Sequence, residues 1–263
     1  MTDHLAESLS GKQKKLFLPY LTFGYPDVHT FLDLVRICRD QGADAIEIGI
    51  PHSDPVADGP VLQHASYQAL QNGVTPRIVA ETLGKAGLGV PLIAMTYGNI
   101  VYHYGVERFG RDFREAGFQG LIVADFPLEA RPFLQPAAED LSIIILASTN
   151  TSPERLAAIG KESRGFVYLV SGKGTTGNTH IETNHLPQMV NILRAHISIP
   201  LLIGFGVSSP DVARSVGLIA DGVIVGTAIM KVIIDHHSEP DFRDQFSRMI
   251  GSFRNALDEI SRR

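Results

Sequence analysis

The residues best able to do chemistry lie in one stretch, Ala45-Ile-Glu-Ile-Gly-Ile-Pro-His-Ser-Asp-Pro-Val-Ala-Asp-Gly59. At the two-residue period of a strand, Ile46, Ile48 and Ile50 share one face, while Ala45, Glu47 and Gly49 share the other. Glu47 is thus carried into an apolar layer, where an unpaired charge costs several kcal/mol. An acid so placed is either satisfied by partners or set for proton transfer, and burial raises its pKa toward that of a general acid. Pro51 to Gly59 cannot continue a strand and read as a loop, which predicts that Asp54 and Asp58 stay solvated and ionised. Asp58 is the candidate for a base or an acceptor of an N–H, and Asp54 reads more simply as a loop cap. Two carboxyl groups in unlike environments can take unlike roles.

Glycines form a second constellation. Ser171-Gly-Lys-Gly-Thr-Thr-Gly177, Gly204-Phe205-Gly206 and Gly226-Thr227 each follow a short apolar run. Glycine lets backbone N–H groups approach an anion closely, and Ala228–His236 can supply a short helix whose N-terminus faces it. Lys173 could form a Schiff base with a carbonyl substrate, but in a glycine-rich loop it reads more simply as solvated or near an anion. His180, His185, His236 and His237 have no partners at metal-ligand spacing, so no metal site is expected.

These groups need elements to hold them. Apolar runs recur at Leu16–Thr22, Ala45–Ile50, Pro91–Thr96, Leu121–Asp125, Ser142–Ser148, Phe166–Ser171, Pro200–Phe205 and Gly222–Gly226. Amphipathic segments between them include Thr30–Gln41, Val106–Ala116, Pro153–Gly160, Asp211–Leu218 and Phe242–Ile260. Eight strands alternating with helices is the rhythm of a closed parallel α/β barrel, with every loop that follows a strand at one mouth. The alternative is an open doubly wound sheet with Gly204-Phe-Gly206 as a dinucleotide fingerprint. That motif's third glycine would fall on Ser209, after the seventh strand rather than the first. No linker divides the chain, which predicts a single domain over residues 1–263.

The sequence has 263 residues, a net charge of −5, 44% hydrophobic and 19% charged residues, which fits a soluble globular protein and gives nucleic-acid binding no support. Its one cysteine, Cys38, falls on the apolar face of a helical pattern, so no internal disulfide can form. With neither an N-terminal apolar h-region nor a membrane-length apolar run, a cytoplasmic location is expected.

Glu47-Ile-Gly-Ile-Pro-His-Ser-Asp-Pro-Val-Ala-Asp-Gly-Pro60 closely resembles the signature of the tryptophan synthase α family. The resemblance extends through Pro19-Tyr-Leu-Thr-Phe-Gly-Tyr-Pro26, Gly73-Val-Thr-Pro76, Tyr97-Gly-Asn99, Val123-Ala-Asp125, Tyr168-Leu-Val-Ser171, Gly204-Phe-Gly206 and Gly226-Thr-Ala-Ile229. It implies a TIM (β/α)8 barrel with an extra N-terminal helix, acting as a lyase that cleaves indole-3-glycerol phosphate to indole and glyceraldehyde 3-phosphate. By that resemblance Glu47 and Asp58 would be catalytic. Tyr20, Met95, Tyr168, Thr176 and Phe205 would bind substrate, and Gly177, Gly206, Gly226 and Thr227 would hold its phosphate. The family further implies no cofactor in this chain and a pyridoxal-phosphate-dependent β subunit as partner in an α2β2 heterotetramer, met through Pro51, His52 and Asp54. The chain departs from the family at His52, where many members carry an aromatic residue, at Thr175, usually Val, and at the unusual Gly172-Lys173 pair. A stand-alone lyase and a regulatory barrel that activates the β subunit are the alternatives.

Overall fold

The computed structural model describes residues 3–170, 186–204 and 206–260. Its strands are β1 (Leu16–Thr22), β2 (Ile46–Gly49), β3 (Leu92–Thr96), β4 (Phe118–Val123), β5 (Ser142–Ile144), β6 (Leu146–Ser148), β7 (Val167–Val170), β8 (Leu201–Gly204) and β9 (Gly222–Val225). Every pairing is parallel, in the order β5-β4-β3-β2-β1-β9-β8-β7-β6. The first and last strands pair with Leu16 opposite Gly222. The two ends of the order, β5 and β6, are divided in the chain by Ile145 alone, so the ring closes through one interrupted strand. Among the described residues nine segments therefore fill the eight positions of a TIM barrel.

Around the ring lie α1 (His4–Ser10), α2 (Val28–Asp40), α3 (Pro60–Gln71), α4 (Pro76–Ala86), α5 (Gly98–Tyr104) and α6 (Val106–Glu115). They are followed by α7 (Pro153–Glu162), α8 (Leu186–Arg194), α9 (Pro210–Gly217), α10 (Thr227–His236) and α11 (Phe242–Asp258). Helix starts follow local chemistry: Asp27, Thr75, Ser152 and Ser209 each accept a hydrogen bond from an N–H of the first turn. Ser209, the residue that would have to be the third glycine of a dinucleotide fingerprint, is the cap of α9. Together with ring closure, this removes the open-sheet alternative.

The beat is imperfect in two places. Between β4 and β5 there are only 3-10 turns, Leu128–Leu134 and Ala137–Glu139, because Pro127, Pro132 and Pro136 interrupt α-helical hydrogen bonding. Strand β4 begins at Phe118, three residues before the expected Leu121, since Gln119 and Gly120 mask its apolar start. Cys38 is fully buried in α2, as its pattern predicts.

The extra helix α1 plugs the barrel floor with Leu5 and Leu9, both buried. Asp3 caps it by accepting from Ala6 N–H (3.0 Å), and also accepts from Ser142 Oγ (2.7 Å) and Gly165 N–H (2.7 Å). At the opposite end of the chain, α11 is tied to the first strands by the buried Arg254. Its guanidinium donates to Asp44 Oδ2 (3.1 Å) and to the Lys15 carbonyl (2.7 Å), while Asp44 Oδ2 also accepts from Phe17 N–H (2.9 Å). Removing one partner from such a network strands the other. Arg254→Ala is expected to cost about 3 kcal/mol in urea denaturation, and Arg254→Lys less.

Candidate active site

Glu47 lies on β2 between Tyr20 of β1, its register partner on one side, and Ile93 of β3 on the other. It points inward as the period-two pattern predicts and is only 1% exposed. The alternate face, Ile46 and Ile48, is buried outside the ring and shares the core with the helix residues. Burial first, and the nearby charge of Asp58 second, push the Glu47 carboxyl up to about 8. Its Oε2 is buried and, among the described residues, has no hydrogen-bond partner.

Asp58 corrects the sequence expectation. It is not solvated but only 4% exposed, because the loop turns back on itself, with Asp58 N–H donating to the Pro55 carbonyl (2.9 Å). Desolvation pushes its carboxyl up to about 6, opposed by a hydrogen bond from the Tyr97 hydroxyl to Oδ2 (3.0 Å). The same hydroxyl accepts from Ala57 N–H (3.2 Å), while Asp58 Oδ1 is buried and has no hydrogen-bond partner among the described residues. Among the described residues each carboxyl therefore keeps one buried oxygen without a partner. Unpartnered buried oxygens of this kind call for a further ligand or a catalytic role.

A cavity of about 730 Å³ opens beside Glu47 at the C-terminal mouth of the barrel. Tyr20, Met95, Tyr168, Gly206, Gly226 and Thr227 line it, so the barrel brings these expected residues together with Glu47. Val207, Ser208, Ile224, Lys231 and Asp235, which the sequence did not single out, line it too. Two glycines make the room for its aromatic walls. A Cβ on Gly49 would come 2.0 Å from Tyr20 Oη, and one on Gly204 would come 2.3 Å from Tyr168 Oη. Burial, followed by the surrounding carboxylates, holds both tyrosines well above their ordinary pKa, so they stay neutral.

At the far side of the cavity, α10 begins at Thr227 with no side-chain cap. The first-turn N–H groups there lack intrahelical acceptors, which makes a site for an anion. The adjacent Gly206 has φ +76°, a conformation other residues rarely adopt. A second cavity, about 790 Å³, lies near the starts of β4 and β5 around Asp3, Gln119, Arg131 and Arg164, away from the carboxylates.

Pro51 and His52 face a separate groove of about 460 Å³ shared with Asn99, Ile100 and His103, and Asp54 is exposed beside them. Thr176, Gly177 and Phe205, with Gly172, Lys173, Thr175, His180 and His185, lie outside the described residues. Tyr97 is the functional residue that sequence reasoning missed. It lies in the Tyr97-Gly-Asn99 motif, but nothing in a lone tyrosine signals that it reaches back 39 residues to a carboxylate. Among the described residues no three His, Cys, Asp or Glu side chains converge to hold a metal, and no helix is long and apolar enough to cross a membrane.

The burial of Glu47 has a consequence for stability. Its pKa is raised on folding, so the folded state binds more protons than the unfolded state between about pH 4.5 and pH 8, and stability falls as pH rises through that window. Glu47→Gln is expected to be more stable than the parent at pH 8–9, by on the order of a few kcal/mol, with the gap closing toward pH 5. Urea denaturation at the two pH values measures it, and a gap independent of pH would contradict the buried, neutral acid.

Comparison of the whole chain with known proteins points to a family. Residues 6–257 match the model of the family described as "Tryptophan synthase alpha chain". A protein of that name from Dehalococcoides mccartyi is 38% identical over 251 residues, covering 94% of this chain and 97% of the relative. One from Prochlorococcus marinus strain MIT 9313 is 42% identical over 221 residues, covering 81% and 80%. Among solved structures, Mycobacterium tuberculosis tryptophan synthase superposes with a TM-score of 0.85 at 33% identity, over 97% of this chain and 96% of that one. The tryptophan synthase alpha chain of Legionella pneumophila gives 0.86 at 31% identity, over 98% and 97%.

Proposed function

The chain belongs to the tryptophan synthase alpha chain family, and from that premise we propose that it cleaves indole-3-glycerol phosphate to indole and glyceraldehyde 3-phosphate. The observation that carries the reading is the pair of buried carboxyls on one strand and the loop that follows it, Glu47 lining a cavity that also holds the start of α10. The cavity volume suits a substrate of this size.

In this reading the substrate's phosphate rests on the N-terminus of α10, at Gly226 and Thr227, with Gly206 beside it. The indole lies between Tyr20, Met95 and Tyr168. Glu47, neutral near pH 7, gives its proton to indole C3. The ring becomes an indolenine cation, and the ionised Asp58 carboxylate accepts the N–H of the ring nitrogen and stabilises that charge. Glu47, now ionised, takes the hydroxyl proton from the carbon attached to the ring. The C–C bond breaks, its electrons return to the indole, and the released carbonyl is the aldehyde. The proton on Glu47 is restored by the same step. Gly177, Thr176 and Phe205 are assigned by family membership to phosphate and substrate binding.

The family also implies a partner. We assign Pro51, His52 and Asp54, at the groove outside the mouth, to contact with a pyridoxal-phosphate-dependent β subunit that consumes the indole, in an α2β2 complex. This chain then supplies only acid–base groups and needs no cofactor of its own. Measuring indole formation from indole-3-glycerol phosphate, with and without a β subunit, tests substrate and partnership together.

Glu47→Gln and Asp58→Asn are each expected to lower kcat by about 10²–10⁴-fold without unfolding the barrel. Normal turnover in Glu47→Gln would overturn the assignment. The pH profile of kcat/KM should be bell-shaped, because Asp58 must be ionised and Glu47 protonated. Activity is lost below about 6 as Asp58 takes up its proton and above about 8 as Glu47 loses its own.

A further inference from the structure

His52 lies outside the substrate cavity, yet its contacts lead back to Asp58. Its Nδ1 accepts from Asp54 N–H at 2.9 Å, and its Nε2 stands 2.9 Å from Asn99 Oδ1. The first contact needs a lone pair on Nδ1, so the ring carries its proton on Nε2 and donates to Asn99. The face of the same ring stacks on Tyr97, with centroids 4.7 Å apart and planes 27° from parallel. Tyr97 in turn holds Ala57 N–H and Asp58 Oδ2 through its hydroxyl. The loop from Pro51 to Asp58 is thus gripped near its start by His52 and at its end by Tyr97, and the two gripping rings lie against each other.

Both supports of this pair stand on fixed backbone. Tyr97 and Asn99 flank the start of α5, where Gly98 N–H donates to Asp125 Oδ1 at 2.8 Å. A plain aromatic ring at residue 52 could lie on Tyr97 but could not be pinned in its own plane. The two edge bonds of an imidazole do that, one to the loop and one to α5.

We propose that His52 is a positioning residue: by fixing the Tyr97 ring it fixes the Asp58 carboxylate for the reaction. The inference rests on the role of Asp58 proposed above. It assigns His52 a task in catalysis by this chain alone, separate from any contact with a partner.

The test uses the isolated full-length chain and its release of indole, so that docking of a partner does not enter. His52→Ala removes stack and edge bonds together and is expected to lower kcat about tenfold, the scale of a small misplacement of a reacting group, with KM within about twofold. The acid limb of the pH profile should move to higher pH, since the Tyr97 bond is what lowers the Asp58 pKa. The other titratable groups coupled to this carboxylate are Glu47, Tyr20, Tyr97 and Tyr168, and the substitution leaves them in place. Tyr97→Phe should move the limb in the same direction. His52→Phe, which keeps the stack but loses the edge bonds that pin the ring, should recover only part of the lost kcat, and His52→Gln, which loses the stack, should recover none. Thermal midpoints taken alongside separate a folding defect from a positioning one. Unchanged kcat and acid limb in His52→Ala, or a fall in kcat with the limb unmoved, would overturn the proposal. Asp58→Asn in the same assay tells the two readings apart. If Asp58→Asn retains activity, the role of Asp58 itself is wrong. If it abolishes activity while His52→Ala behaves as the parent, only the role of His52 is wrong.

Discussion

Everything at this site depends on the exclusion of water from two carboxyl groups. In water Glu47 and Asp58 would titrate almost together, and neither could hold a proton at neutrality while the other lost its own. The barrel separates them by environment. Glu47 is enclosed among strand residues with one oxygen unpaired, whereas Asp58 is enclosed but receives a donor from Tyr97. Burial and the neighbouring charge raise Glu47 further, and the Tyr97 hydrogen bond holds Asp58 lower. The arrangement costs stability, since a neutral buried carboxyl is maintained against its tendency to ionise in solvent.

That cost is carried by the rest of the fold. Every strand contributes Val, Ile or Leu to the core, those of β2 on the face turned toward the helices. The barrel floor is sealed by α1, and its first and last strands are joined by direct pairing. Arg254 fastens the last helix to the backbone of Lys15 and the side chain of Asp44, where the first two strands begin. The mouth that holds Glu47 and the candidate site is at the opposite end of the strands. Rigidity and chemistry are therefore divided between the two ends of the barrel, as the fold permits. The same division explains the glycines at Gly49 and Gly204. They give up side-chain packing at the mouth so that Tyr20 and Tyr168 can lie across them.

How much of this was legible in the sequence varies with the range of the interaction concerned. Strand β1 is read correctly to the residue, since seven consecutive buried positions leave no ambiguity. The inward aim of Glu47 follows from the two-residue period alone. The missing helix after β4 is visible in its prolines only in retrospect, and the start of β4 is hidden by Gln119 and Gly120. The environment of Asp58 was misread. A loop of turn-forming residues suggests solvent, and only the return of the chain under Tyr97 makes it dry.

The sequence by itself determined the eight-fold alternation, the face on which Glu47 stands and the family to which its motifs are similar. These rest on local periodicity and on residue types, which are properties of short segments. The tertiary structure decided the burial of Asp58, the hydroxyl of Tyr97 that holds it and the stacking of His52 on that ring. It also decided the meeting of α10 with Glu47 across one cavity. Each of these joins residues far apart in the chain. Their relative placement is set by ring closure and by the packing of whole elements, and no local pattern encodes it.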